Sequence, residues 1–315
     1  MPENLELCPY RQAYLDAIVA GWNTCLVHDA LTRQRFIDEI LLDENFDPAL
    51  ALMALVGGEL AGFCLAIRRK YPYLTRGLEE TRGWISVFFV LPQYRRKGVG
   101  TALLQRAETL LLQRGTKEIT LCAYSPNYFT PGVDVTYPGG TAFFDAQGYT
   151  RGTEAVSMQR DLFTYTIPAQ TQQKIAEFEK QGITFTPFTM PYMEDLLAFT
   201  AREFDAGWVR NILLALRTGE AQDTILLALG ADGKVIGYCM RKIDGNDARF
   251  GPIGVAETLR GAGLGGVLID LQMMEMKKRG IYSFYFLWTH GDAIRFYERH
   301  GLNIYRTYQL YRKKI

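Results

Sequence analysis

The pattern R-x-x-G-x-G occurs twice in this chain, as Arg95-Arg96-Lys97-Gly98-Val99-Gly100 and as Arg260-Gly261-Ala262-Gly263-Leu264-Gly265. Each copy follows an apolar run with the character of a strand, Trp84 to Val90 in one case and Phe250 to Val255 in the other. Each also opens an amphipathic run. Leu103, Ala107, Leu110 and Leu111 recur at helical spacing after the first copy, and Leu264, Val267, Leu268, Leu271 and Met274 after the second. A strand, a glycine turn and a helix start leave several backbone N–H groups free at the positive end of a helix dipole. That is a seat for a phosphate or pyrophosphate. The glycines let the backbone come close to the anion, and the arginine adds charge beside it.

The two copies lie 165 residues apart in a chain of 315, a spacing that suggests duplication of the whole plan. Ala51 to Val56, Gly57-Gly58-Glu59 and Leu60 to Leu65 read as a hairpin before the first loop. Thr224 to Leu229, Ala231 to Lys234 and Val235 to Met240 read the same way before the second. Gly115 and Gly280 stop the two loop helices, and a β-rich run follows each, Glu118 to Tyr124 and Ile281 to Trp288. Ala142 to Tyr149 then matches Ile294 to Leu302. Between the copies, Pro168 to Gln181 reads as a connecting helix, with proline in its first turn and Gly182 as its stop. The expected organisation is therefore a first domain over 1–167, a connecting helix over 168–181 and a second domain over 182–315. Each domain is α+β, a mixed and mostly antiparallel sheet flanked by helices.

The bulk numbers exclude several classes. Lys and Arg total 35 against 34 Asp and Glu, a net charge of +1, which leaves no electrostatic footprint for nucleic acid or an anionic membrane. Apolar runs are too short to span a bilayer. The start, Met1 to Glu6, lacks the basic and then apolar layout of a secretory signal, so a cytoplasmic location is expected. The five cysteines are scattered without a C-x-x-C pair, which suits a reducing compartment and argues against zinc or a disulfide framework. Gly261, Gly263 and Gly266 also satisfy G-x-G-x-x-G, but that dinucleotide fingerprint needs an acidic residue at the end of the next strand, and Ile281 to Thr289 has none.

The double loop, together with Phe296-Tyr297-Glu298-Arg299-His300-Gly301, resembles the Gcn5-related N-acetyltransferase superfamily in a two-domain, tandem form. The resemblance covers essentially the whole chain and implies acetyl-CoA as donor and an amine as acceptor. It places pyrophosphate seats on Arg95 to Thr101 and on Arg260 to Gly266. It also points to Phe88, Phe89 and Val90, and to Ile253, Gly254 and Val255, as splayed strand edges that pair with the pantetheine arm. An amide-bearing arm adds to such an edge as a peptide does. The family's usual proton donor, a tyrosine on the last aromatic helix, falls on Tyr297. The matching residue in the first half is Phe144, which has no proton to give. This difference favours the second half as the working site.

Neither loop strand carries the carboxylate that many relatives use as a base. Candidates for that role or for the acceptor pocket are Asp205, Trp208 and Asp292, with His290 and Glu298 nearby in sequence. Asp292 also reads as an N-cap. Tandem relatives that this chain resembles include glucosamine acetyltransferases and mycothiol synthase, so a small amine, an amino sugar among the options, is the expected partner. Asp244 and Asp247 would suit such a cationic acceptor. The segment Ser125 to Asp134 is inserted in the first half only and reads either as a surface loop or as a flap. The alternatives are a non-catalytic acyl-CoA-binding module and a protein N-acetyltransferase.

Overall fold

The computed structural model describes residues 2–315, which form two compact units. The first unit contains the chain up to Ala155 together with Arg306–Ile315, and the second is Val156–Tyr305. The division thus falls earlier than the boundary at 167 expected from the repeat. The helix expected as a connector belongs to the second unit, and the last residues return to the first.

In the first unit the order is β1 (Leu5–Pro9), α1 (Leu15–Cys25), α2 (Arg33–Phe36), β2 (Ala51–Val56), β3 (Glu59–Ile67), β4 (Arg82–Val90), α3 (Val99–Gln113), β5 (Glu118–Leu121), β6 (Val133–Asp134), α4 (Pro138–Ala146) and the start of β7 (Thr150–Asp161). The second continues with α5 (Ala169–Lys180), β8 (Thr184–Pro187), α6 (Met193–Glu203), α7 (Ala206–Arg217), α8 (Ala221–Thr224), β9 (Ile225–Leu229), β10 (Val235–Arg241), β11 (Phe250–Val255), α9 (Leu264–Lys278), β12 (Ser283–Thr289), α10 (Asp292–Arg299) and the start of β13 (Asn303–Lys314).

Strands β1 to β4 are antiparallel neighbours, β4 and β5 run parallel, and the end of β13 pairs antiparallel with β5, Arg312 opposite Thr120. The second unit has an antiparallel sheet in the order β11-β10-β9-β8, while β12 pairs with Val156–Asp161 of β7. Alternation sends one face of the first sheet to α1, where Trp22, Phe36, Phe63 and Trp84 are buried, and the other to α3, where Leu103, Leu104, Ala107 and Leu111 are buried. In the second unit, α6 and α7 cover one face through Phe199 and Ile212, and α9 covers the other through Val267, Leu268 and Met273.

The inserted segment of the first half is pinned down within its own unit. Phe129 is buried against Trp22, with ring centroids 4.9 Å apart, and Asn127 donates to Asp43 over 2.8 Å. Among the described residues, no helix is long and apolar enough to cross a membrane.

Candidate active site

The two loop strands share a local irregularity that opens the sheet. In the first unit, Leu65 faces Val87 and Ala66 faces Ile85, so Ser86 is an extra residue in β4. In the second, Cys239 faces Ile253 and Arg241 faces Phe250, which leaves Gly251 and Pro252 opposite Met240 alone. Ser86 and Gly251 are 165 residues apart, the same offset as the glycine loops. A bulge of this kind bends its strand and ends regular pairing.

Beyond the bulge each strand loses its neighbour on one side. The β4–β5 register stops at Ile85 opposite Leu121, and β12 bridges only the residue before β11, Arg249 opposite Tyr285. The residues called from sequence, Phe88 to Val90 and Ile253 to Val255, form these splayed edges. Ala256 N–H donates inward to Ile236 over 2.8 Å, so strand alternation turns the N–H of Val255 toward the open edge.

The loops that follow have matching backbones. Each makes one 3₁₀ turn, Pro92–Tyr94 or Glu257–Leu259. Each then reaches a left-handed glycine, Gly98 (φ +80°) or Gly263 (φ +94°), which caps α3 or α9. A second left-handed position is Gly261 in one loop (φ +82°) and Arg96 in the other (φ +60°). A non-glycine residue in that conformation costs roughly 1–2 kcal/mol.

The surroundings of the two sites differ. In the first unit Arg95 Nε donates to the carbonyl of Val90 over 2.8 Å, covering an edge acceptor. Phe143 stacks on Phe88 with centroids 5.5 Å apart; the two units are alike in having a ring over the helix start, Phe143 3.6 Å from a Cβ placed on Gly100 and Phe296 3.8 Å from one placed on Gly265. Phe144 is buried among Phe88, Tyr149 and Tyr311. In the second unit the Arg260 side chain is exposed and makes no hydrogen bond to a described residue, and nothing lies within 4 Å of where a Cβ on Gly261 would be. That open cradle of backbone N–H groups fits a pyrophosphate.

Tyr297 packs its ring against Phe286, 4.3 Å between centroids, and Phe296, 5.0 Å, in the cluster that contains Ile253 and Val255. Its hydroxyl has no hydrogen-bond partner among the described residues. Burial, with the Cys239 thiol as a smaller contributor, pushes its pKa up to about 12, so the proton is retained.

The other candidates separate. Asp205 is exposed and caps α7, its Oδ1 accepting from Gly207 N–H over 2.7 Å. Trp208 stacks on Phe204 at 4.3 Å and 15°. Phe204 in turn packs on Gly254, where a Cβ would collide with its ring, so only glycine fits there. Asp292 is the first residue of α10 and not its cap, which is Gly291. Its side chain is 92 % exposed and pairs with Arg295. Five residues separate it from Tyr297, about 140° around the helix, which takes it off the Tyr297 face. Asp244 and Asp247 are held in the turn after β10, by Arg249 at 3.6 Å and Arg241 at 2.9 Å respectively.

The sequence reading missed Phe204 and Glu203. Glu203 accepts from the Glu257 N–H and from Arg202 Nε, both at 3.0 Å. These bonds, the backbone one foremost, hold its carboxyl below the usual range. With both oxygens engaged it orders the entry to the glycine loop and is a poor base. No local pattern around Glu203-Phe204-Asp205 signals either role.

Comparison with known proteins agrees with this geometry. The acetyltransferase (GNAT) family model matches residues 10–130 and 190–302, one region for each glycine loop. A mycothiol acetyltransferase of Clavibacter sepedonicus is 26 % identical over 197 residues, 60 % of this chain and 59 % of that protein. The match therefore spans little more than half of that relative's length. A second mycothiol acetyltransferase, from Clavibacter michiganensis subsp. michiganensis, is 24 % identical over 270 residues, 82 % of this chain and 78 % of that protein. Among solved structures, the Gcn5-related glucosamine N-acetyltransferase region of a fungal multi-domain GH3 β-N-acetylglucosaminidase superposes with a TM-score of 0.80 at 23 % identity, over 99 % of this chain and 38 % of that one. A tandem GNAT protein from the clavulanic acid biosynthesis pathway superposes with a TM-score of 0.64 at 18 % identity, over 98 % of both chains. With the family pattern matched in both halves and over most of its length, the chain belongs to the GNAT acetyltransferase family, as an α+β protein with two tandem family regions.

Proposed function

We propose that this chain transfers the acetyl group of acetyl-CoA directly to the amine of a small molecule, and that the second unit is the working site. The observation that carries this reading is the asymmetry between two loops of one backbone form. The second combines an open glycine cradle, an uncovered strand edge and a tyrosine with a free hydroxyl. The first has Arg95 on its edge carbonyl and a phenylalanine at the tyrosine position.

Bound acetyl-CoA supplies an acyl group already activated as a thioester. The Val255 N–H, facing the open edge, donates to the oxygen where negative charge develops. Tyr297 holds a proton at its hydroxyl for the leaving group. Acceptor recognition falls to the outer face of Trp208, which is backed by Phe204, beside the exposed Asp205 carboxylate, a combination suited to a cationic amino sugar. The likeness to a glucosamine N-acetyltransferase region supports that class. β11 carries no carboxylate, so the amine loses its proton through water.

A panel of amino sugars, aminoglycosides, polyamines and peptides, followed by release of the CoA thiol, tests the reading. Acceptor-dependent release with an amino sugar is expected. Saturable acetyl-CoA binding with no acceptor-dependent release would identify a binding module instead, and turnover confined to peptides would favour a protein N-acetyltransferase.

The division of labour has its own test. Gly263→Val and Gly98→Val impose a β-branched residue on equivalent left-handed positions, so their backbone strain is similar. Gly263→Val should weaken CoA binding by about tenfold or more, since its side chain enters the anion seat. Gly98→Val should leave turnover intact. A dead Gly98→Val beside a fully active Gly263→Val would reverse the assignment.

The alkaline limb of the kcat–pH profile gives a further check. Tyr297 acts in its protonated form, present below its pKa and lost as pH rises through about 12. The profile should therefore stay flat across pH 9–10, about where an ordinary tyrosine begins to ionise. A decline there that disappears in Tyr297→Phe would show the hydroxyl to be unperturbed.

A further inference from the structure

Behind the second glycine cradle stands a buried carboxylate that no motif announces. Asp270, in the second turn of α9, is 1 % exposed. Its Oδ2 accepts from the Thr171 hydroxyl of α5 over 2.6 Å, and its Oδ1 lies 3.0 Å from His300 Nδ1. The Tyr165 hydroxyl donates to the Asp270 carbonyl over 3.3 Å. A carboxylate only accepts, so the Nδ1 proton is fixed toward Asp270 and Nε2 is left as the free nitrogen. That edge of the ring rests on the first turn of α9. A Cβ built on Gly266 would be 2.9 Å from His300 Cε1 and 3.0 Å from Nε2, so the third glycine of the run makes room for the imidazole. Nε2 bonds to no described residue, and the His300 side chain is 16 % exposed.

We propose that His300 is a proton-linked partner of the anion seated at that turn, with Asp270 and Thr171 as its positioning residues. This inference rests on the reading that the second unit binds the CoA pyrophosphate. Protonated, His300 presents an Nε2–H donor and a positive charge, stabilised from behind by Asp270. Neutral, it presents a lone pair to the phosphate.

The groups around the ring come from four elements. Asp270 is on α9 and Thr171 on α5. One turn beyond Thr171, Lys174 brings its methylenes 3.7 Å from where a Cβ on Gly263 would be, with its ammonium held by Glu177 at 2.7 Å. Arg160 of β7 donates to the His300 carbonyl. On α10 itself Phe296 lies 5.0 Å away, and Glu298 and Arg299 precede the histidine in sequence. Imidazole is the side chain in this shell whose free nitrogen turns from acceptor to donor on gaining a proton. An anion in the cradle favours the imidazolium. Affinity is therefore highest below the free-state titration and falls as pH rises through the bound-state one, by about three- to tenfold in all.

Calorimetric titration with dephospho-CoA, in buffers of different ionisation enthalpy across pH 6–8, reads this directly. Dephospho-CoA keeps the pyrophosphate but lacks the 3′-phosphomonoester, whose own second ionisation, near pH 6, would confuse the result. Wild-type protein should take up a fraction of a proton and bind about three- to tenfold more weakly at the alkaline end. His300→Gln, which keeps a donor but does not titrate, should remove both effects, and Asp270→Asn should move the transition to lower pH. The chain has three histidines, so NMR of the wild-type imidazoles follows His300 even where a variant folds poorly, and its titration should rise on binding. Binding without proton uptake, or uptake that persists in His300→Gln, would overturn this inference and leave the CoA reading standing. No saturable binding by the wild type, to dephospho-CoA or to CoA, would overturn both.

Discussion

Replacing Arg306 by Met should destabilise the first unit by about 3–5 kcal/mol, the usual cost of removing one partner from a buried ion pair. Arg306 is the first residue that β13 returns to that unit. Its Nη1 and Nη2 donate to the two oxygens of Asp29 over 2.6 and 2.7 Å, and its Nε donates to Asp134 over 2.6 Å. All three side chains are largely buried, so the variant leaves two carboxylates facing each other without a cation. Trp22 and Trp84 lie buried in the same unit, and denaturant unfolding followed by their fluorescence reads the change. Arg306→Lys, which keeps the charge but loses the fork, should fall between the two. An unchanged midpoint in Arg306→Met would show that the cluster contributes nothing to the return of the strand.

Tyr297→Phe should lower kcat by about ten- to a thousandfold, within or just below the usual range for acid–base catalysis, with little change in CoA affinity. The structure makes the substitution clean. The ring contacts with Phe286 and Phe296 survive it, and no described residue loses a hydrogen bond with the hydroxyl. Steady-state kinetics with a saturating acceptor, beside CoA binding by calorimetry, separate the two effects. Loss of CoA affinity at unchanged kcat would assign Tyr297 to packing of the cleft, and unchanged kinetics would remove it from the reaction.

What could be read in advance depended on how local each feature is. The hairpins before each loop fall where the apolar runs and their glycine turns place them, because strand alternation and turn chemistry act over a few residues. Both loop helices begin beside the left-handed glycines of the repeated pattern, since a left-handed position is a requirement of the backbone at that residue. The Tyr297 and Phe144 positions were legible for the same reason, as offsets from a motif. Short β-rich runs were less so. Glu118 to Tyr124 ends as a strand at Leu121, because Cys122 and Ala123 take positive φ.

The sequence by itself determined the duplication, the two glycine loops, the helices behind them and the side chains offered at equivalent places, all consequences of short-range periodicity and backbone sterics. Tertiary structure alone decided how the arginine of each loop is placed. Arg95 folds back on Val90 in one loop and Arg260 points to solvent in the other, although the two patterns are alike as text. It also decided that β13 completes the first unit through an ion pair 277 residues apart in sequence, and that Asp270 and His300, 30 apart, meet behind a glycine. The last two are pairings of polar groups across distant segments, selected because a buried charge must find a partner, and no local pattern encodes which partner arrives.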